Sequence, residues 1–131
     1  MHKIRITLIV PTLNEIEGMV QIMPRVKKEW YDQLIILDGG STDGTIEYAR
    51  EGGYFVYLQK KPGIRNAYSE ILDIIEGDVV VTFSPDGNCI PELIPALLDK
   101  MKQGHDMVIV SRYAKGAKSY DDDVVTAFGN W

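Results

Sequence analysis

The chain has 131 residues, 45% of them hydrophobic and 25% charged, which supports one ordinary globular domain built on one core. Its 14 basic and 19 acidic side chains leave a net charge of −5, which argues against nonspecific nucleic-acid binding, because that needs a basic surface to displace counterions. Cys89 is the only cysteine, so no internal disulfide forms, and no apolar run approaches the ~20 residues of a membrane helix. Met1-His2-Lys3 runs directly into a predicted strand, so no signal peptide is expected. A cytoplasmic protein is expected.

In chain order, residues 4–11 read as a strand, with Ile4, Ile6, Leu8 and Val10 on one face and Ile9 on the other. A helix follows, with Met19, Met23, Val26 and Trp30 at the spacing of a buried stripe. Pro24 should kink or restart it, because proline lacks the backbone donor. Residues 34–37 form a second strand, and residues 45–51 a short helix closed by Gly52-Gly53. Residues 54–58 form a third strand. Residues 64–75 form a helix with Ile64, Ala67, Tyr68, Ile71 and Ile75 on one face. A fully apolar fourth strand covers residues 79–83, and residues 91–101 form a helix with Leu93, Leu97, Leu98 and Met101 inward and Gly104 ending it. Residues 107–110 are a fifth strand leading into Ser111-Arg112-Tyr113, after which a basic loop and Asp121-Asp122-Asp123 break the pattern. Strands alternating with helices of this length imply right-handed βαβ units and a mostly parallel α/β sheet.

Ligands of such sheets sit outside the carboxyl ends of the strands. Three strands deliver acidic loops there: the first runs into Pro11-Thr12-Leu13-Asn14-Glu15, the second into Asp38-Gly39-Gly40-Ser41-Thr42-Asp43-Gly44, and the fourth into Ser84-Pro85-Asp86-Gly87-Asn88. If those strands are neighbours, Glu15, Asp38 and Asp86 share one crevice. Carboxylates accept hydrogen bonds from base N–H and ribose hydroxyl groups but repel phosphate, so a diphosphate would approach through a divalent cation on Asp86, with Asn88 as a neutral second ligand. Ser-Pro-Asp-Gly is equally an ordinary turn sequence, and Ser41, Thr42 and Asp43 fit helix capping. A carboxylate directly after four aliphatic residues, as at Asp38, is costly without partners. Arg65 in a first helical turn opposes the dipole, which points to an anionic ligand or a solvated arginine. Arg112 falls at the same carboxyl edge. His2 and His105 stand near strand starts and read as structural, and Cys89 has no matched base. No Gly-x-Gly-x-x-Gly follows the first strand and no Gly-x-x-x-x-Gly-Lys-Ser/Thr occurs, which argues against dinucleotide and P-loop folds. A receiver-like signalling domain would need a lysine after the fifth strand, where Ser111-Arg112 stands.

The motifs Pro11–Glu15, Asp38–Thr45, residues 61–67, Ser84–Asp86 and Ser111–Tyr113 resemble, in order and spacing, the family 2 glycosyltransferases of the GT-A fold. The resemblance covers residues 4–113 and is strongest to the dolichyl- or polyprenyl-phosphate sugar synthases. It implies a mostly parallel Rossmann-like sheet flanked by helices, a UDP- or GDP-sugar donor, Mg²⁺ or Mn²⁺, and inversion at the anomeric carbon. By position, Pro11, Thr12, Glu15 and Asp38 would hold the nucleoside, and Asn14, Gly39, Gly40, Ser41, Arg65, Ser84 and Pro85 would line the donor site. Asp86 would carry the metal with Asn88, and Asp86 and Arg112 would serve catalysis. Two departures stand out: the family's Asp-x-Asp is Ser84-Pro85-Asp86, and its frequent Asp-Asp-Gly-Ser is Asp38-Gly39-Gly40-Ser41. The acceptor portion of the family normally lies beyond this point, so residues 1–131 are expected to form one nucleotide-sugar-binding domain that stops before it. The acceptor is unspecified, with a lipid phosphate at the cytoplasmic face of a membrane and a homodimer within expectation. The alternative is a nucleotide-binding module without turnover. Replacing Asp38 by alanine is expected to abolish nucleotide binding and leave the fold intact.

Overall fold

Branched aliphatic residues dominate the strand segments, and in the computed structural model, which describes residues 3–86 and 89–106, all four form parallel strands. These are β1 (Ile6–Thr12), β2 (Gln33–Asp38), β3 (Phe55–Leu58) and β4 (Val79–Thr82), in the spatial order β3-β2-β1-β4. The central pair is buried on both faces: Leu8, Ile9, Val10, Leu34, Ile35, Ile36 and Leu37 are all buried, as expected where a parallel sheet is covered on each side. Toward the carboxyl edge the register aligns Thr12 with Asp38 and Asp38 with Leu58.

Helices α1 (Ile16–Ile22), α2 (Thr45–Glu51) and α3 (Ile64–Ile71) connect successive strands. The chain steps from β1 to β2 to β3 in one direction and then back across to β4. Right-handed crossovers therefore place α1 and α2 on one face, where they touch, and α3 on the other. Ala67 and Ile71 of α3 pack on Ile9, Ile35 and Leu37, with Tyr57, Tyr68, Ile74 and Ile75 closing the cluster. Pro24 ends α1 as expected: the helix stops at Ile22 and a 3-10 turn runs over Met23–Arg25. Positive φ at Gly53 (83°) and Gly104 (100°) accompanies the helix ends before them, a conformation glycine adopts without a Cβ penalty.

The amino edge is pinned by side chains. Asp32 accepts from Ile6 N–H (2.8 Å) and Asp78 from Arg5 N–H (3.0 Å). The fully buried Thr7 hydroxyl donates to Gln33 Oε1 (2.7 Å) and accepts from Gly77 N–H (2.9 Å).

Several expectations need correction. Ile4 precedes β1 and is exposed, and Tyr54 precedes β3. The stripe of α1 ends at Val26, because Trp30 sits in a separate 3-10 turn, Lys28–Trp30. The helix predicted over 64–75 is α up to Ile71 and 3-10 over Leu72–Ile74, and Ile64 faces solvent at 64% exposure because its turn lies at the helix entrance, beyond the sheet. In β4 only Val81 is buried and Val80 is 47% exposed, since β4 ends the order of the described strands. The fifth strand expected over 107–110 lies outside the described residues.

The chain divides into two compact units between Pro91 and Glu92. The helix predicted over 91–101 is a 3-10 turn over Pro91–Leu93 followed, in the second unit, by α4 (Ile94–Lys102), which buries Ile94 and Leu98, leaves Leu97 and Met101 half-buried, and carries Lys100 and Lys102 in its last turn, where cations suit the helix dipole.

Truncating Ile71 to alanine removes the α3 anchor of the core cluster. The expected cost is about 2–5 kcal/mol of unfolding free energy, read as a lower urea midpoint with an unchanged slope.

Candidate functional site

Asp38 is fully buried at the carboxyl end of β2, and its carboxylate accepts four hydrogen bonds of 2.7 Å: Oδ1 from Gly40 N–H and Ser41 N–H, Oδ2 from the Thr12 and Ser41 hydroxyls. Burial raises the Asp38 pKa, but the hydrogen bonds from Ser41, Thr12 and Gly40 outweigh it, and the net shift is downward. Thr12 and Ser41 are themselves buried. The three side chains thus engage one another, and what faces outward at this point is the exposed backbone of Gly39 and Gly40.

From this node the β1–α1 and β2–α2 loops are stitched together. Gly39 N–H donates to Thr12 O (3.0 Å), Asn14 N–H to Ser41 Oγ (2.8 Å) and Thr42 N–H to Asn14 Oδ1 (2.8 Å). Glu15 N–H donates to Thr45 Oγ1 (3.0 Å) and Ile16 N–H to Asp43 Oδ2 (3.1 Å). Glu15, the N-cap of α1, makes no capping bond with its own side chain; the second loop satisfies those donors instead. Asp43 also accepts from Thr45 N–H (3.0 Å) at the start of α2, so one carboxylate serves two helices. Asn14 takes φ of 54°, a left-handed conformation that asparagine tolerates better than most residues.

The β4 loop joins through α1. A Cβ at Gly18 would lie 1.7 Å from the Pro85 carbonyl oxygen, so only glycine lets the helix and this segment meet. Pro85 is buried, Asp86 is exposed, and Ser84 Oγ donates to Asp86 Oδ2 (3.2 Å). Glu15 is half-buried and titrates above the usual carboxylate range, first through burial and then through the negative charges of Asp86 and Asp43. The loops that carry Glu15, Asp38 and Asp86 therefore meet, with Glu15 within electrostatic reach of Asp86, the Asp38 carboxylate turned into its own network, and Pro11 half-buried beside Leu37 in the register. Among the described residues, no group of three or more acidic, histidine or cysteine side chains forms a metal cage. The donor set instead suits a cation shared with a ligand, because small divalent ions commonly take one or two carboxylates and complete their shell with phosphate and water. Burial raises the Cys89 thiol, the opposite of an activated nucleophile. Asn88 and Arg112 lie outside the described residues.

The β3–α3 loop brings positive charge to the same edge. Glu70 accepts from Lys60 N–H (2.6 Å), Lys61 N–H (2.9 Å) and Tyr57 OH (3.2 Å), which pulls its pKa down and fixes the loop that leads to Arg65, exposed in the first turn of α3. Sequence reasoning singles out neither Glu70 nor Gly18 and reads Asp43 as a helix cap without its bond to Ile16, because these partners are 9 or more positions away.

A parallel sheet with helices on both sides and this acidic carboxyl edge is the GT-A architecture of the glycosyltransferases. The chain belongs to that class at the level of sequence as well: it is a member of glycosyl transferase family 2, whose model matches residues 7–129. It is 32% identical over 110 residues to glycosyltransferase AglJ of Haloferax volcanii, covering 83% of this chain and 36% of the relative. It is 32% identical over 122 residues to a dolichol-phosphate mannosyltransferase of Pyrococcus furiosus, covering 87% and 35%. A crystal structure of glucosyl-3-phosphoglycerate synthase from Mycobacterium tuberculosis with Mn²⁺, UDP-glucose and phosphoglyceric acid superposes with a TM-score of 0.64 at 32% identity, over 77% of this chain and 40% of that one. The chain thus spans little more than a third of these relatives. Among its described residues no helix is long and apolar enough to cross a membrane.

The saturated carboxylate changes the expectation for Asp38. An alanine there orphans four donors, so it is expected to lower stability as well as any nucleotide binding. Asp38→Asn is expected to lower stability at pH 7 by about 2–4 kcal/mol in urea unfolding, because it removes charge-assisted acceptors from a buried network. With the folded-state pKa depressed, this contribution is fully present above the unfolded value of about 3.9 and fades as pH falls through the folded one. The gap between wild type and Asp38→Asn should therefore shrink on acidification below about pH 4, and a gap of constant size would contradict the assignment. Gly18→Ala forces α1 and Pro85 apart; thermal melting is expected several degrees lower, about what a loss of 1–3 kcal/mol produces in a small domain.

Proposed function

We propose that the chain is the donor-binding part of a glycosyltransferase that moves a sugar from a UDP- or GDP-sugar to an acceptor with inversion. The observation that carries this reading is the meeting of three loops at one sheet edge in a family 2 chain: the knitted Asp38 and Asn14 loops beside the exposed carboxylate of Asp86. The backbone of Gly39 and Gly40, with the rim from Pro11 to Asn14, would receive the nucleoside, while Thr12, Asp38 and Ser41 hold that surface in shape. Asp86, with Glu15 near it, would take Mg²⁺ or Mn²⁺, in keeping with the Mn²⁺ and UDP-glucose in the crystal structure of the mycobacterial relative. Once bound, such a cation offsets the charge that develops on a departing nucleoside diphosphate. Ser84 and Pro85 would set the reach of Asp86, and Arg65 would face an anionic part of the ligand.

Glu15 titrates high first through burial and then through the charges of Asp86 and Asp43, and a cation between Glu15 and Asp86 would relieve that second part. The dolichol-phosphate mannosyltransferase among the relatives, and a polyprenol monophosphomannose synthase of Mycolicibacterium smegmatis at 32% identity over 86% of this chain and 46% of that relative, favour a lipid phosphate as acceptor. A phosphate oxygen is already anionic at neutral pH, so that acceptor would need no protein base.

Calorimetric titration with UDP and GDP, with and without Mn²⁺, tests the reading. Binding strengthened by Mn²⁺ is expected. Asp86→Ala should weaken the Mn²⁺-supported affinity about tenfold or more and leave the metal-free affinity nearly unchanged. No binding of either nucleotide would refute the proposal, and binding without sugar transfer to a polyprenyl phosphate would favour a module that holds nucleotide without turnover.

A further inference from the structure

With the polar groups of Asp38, Thr12 and Ser41 engaged internally, the proposed site still needs a group to read the base. Gln59 follows β3 directly, and its N–H donates to the Asp38 carbonyl (2.9 Å), which anchors it beside the end of β2. Its side-chain Nε2 donates to Lys61 O (2.6 Å) and Gly63 O (3.2 Å), using both amide hydrogens. That pairing fixes which way the amide points. Oε1 then faces Gly39: a Cβ built there would lie 3.2 Å from Gln59 Oε1 and 3.5 Å from Leu13 Cδ1. Gly39 is exposed, Leu13 is 57% exposed, and Gln59 Oε1 accepts no hydrogen bond among the described residues. Bare backbone, an apolar side chain and a preset acceptor therefore lie side by side at this edge, and the loop that carries the acceptor is braced by Glu70.

We propose that Gln59 is the base-reading residue: its Oε1 accepts the ring N–H of a base laid over Gly39 and flanked by Leu13. The inference rests on the nucleotide-sugar reading above. An acceptor with no spare donor favours bases whose ring nitrogen carries hydrogen, uracil at N3 and guanine at N1, over cytosine and adenine, whose corresponding nitrogens present a lone pair. Gly39 is matched to this role, because any side chain there would press on the amide oxygen.

The test is calorimetric titration of the complete chain with UDP, GDP, CDP and ADP in Mn²⁺, together with N3-methyl-UDP and N1-methyl-GDP. UDP or GDP should bind more tightly than CDP and ADP, and ring methylation should weaken wild-type binding about five- to tenfold, as expected for one hydrogen bond lost. In Gln59→Met the natural and methylated ligands should bind alike; a purely structural role would weaken both and keep their ratio. Gly39→Ala, which crowds the amide without removing it, should shrink the ratio too, and it decides the matter together with the wild-type ratio if Gln59→Met does not fold. A ratio that survives in Gln59→Met, or no effect of methylation on the wild type, overturns the role of Gln59 while the nucleotide site stands. No binding of any nucleotide by the wild type overturns both.

Discussion

A carboxylate buried at the end of a hydrophobic strand is tolerable only if every lone pair has a donor, and at Asp38 four short hydrogen bonds meet that condition. The rest of the site depends on it. Ser41 is drawn inward and so stands ready to accept from Asn14; Thr12 is held in register; and the Asp38 carbonyl anchors Gln59 on the next strand. Three consecutive connections of the fold are thereby referenced to one residue.

The acidic character of the chain looks ill suited to an anionic ligand until the carboxylates are separated by duty. Asp38 and Asp43 are engaged by N–H and hydroxyl donors, which lowers the pKa of each despite the opposing effect of desolvation. Glu70 fixes the loop bearing Lys60 and Lys61. Glu15 and Asp86 differ: one titrates high and the other is exposed, and theirs is the neighbourhood proposed above for the cation. Net charge therefore says little about what this edge can hold.

Much of the architecture was legible from the sequence. The alternation of strands and helices, the break at Pro24, the α2 span and the meeting of the loops after β1, β2 and β4 follow from periodicity and from the rule that parallel strands present their carboxyl ends together. Burial of individual residues was less legible. Ile64 fits a helical stripe, yet it lies in the entrance turn of α3, and β4 is apolar yet half-exposed at the end of the described order. Cross-capping was out of reach: Asp43 protects Ile16 N–H across 27 positions, and nothing local to either residue announces it. Asp38 illustrates the difference between place and role. Its position at the strand end was readable, but whether it contacts a ligand or supports those that do depends on Thr12 and Ser41 arriving together.

The bare Cα of Gly18 has a mechanical meaning. Because a helix turn rests directly on a main-chain carbonyl, with no rotatable side chain between them, the Pro85 peptide is seated at a fixed height above α1. The offset between the Asp86 segment and the loop after β1 is therefore set by the thickness of a helical backbone. A gauge made of main chain does not drift with rotamers, so the two ends of the crevice keep their spacing whichever side chains line it.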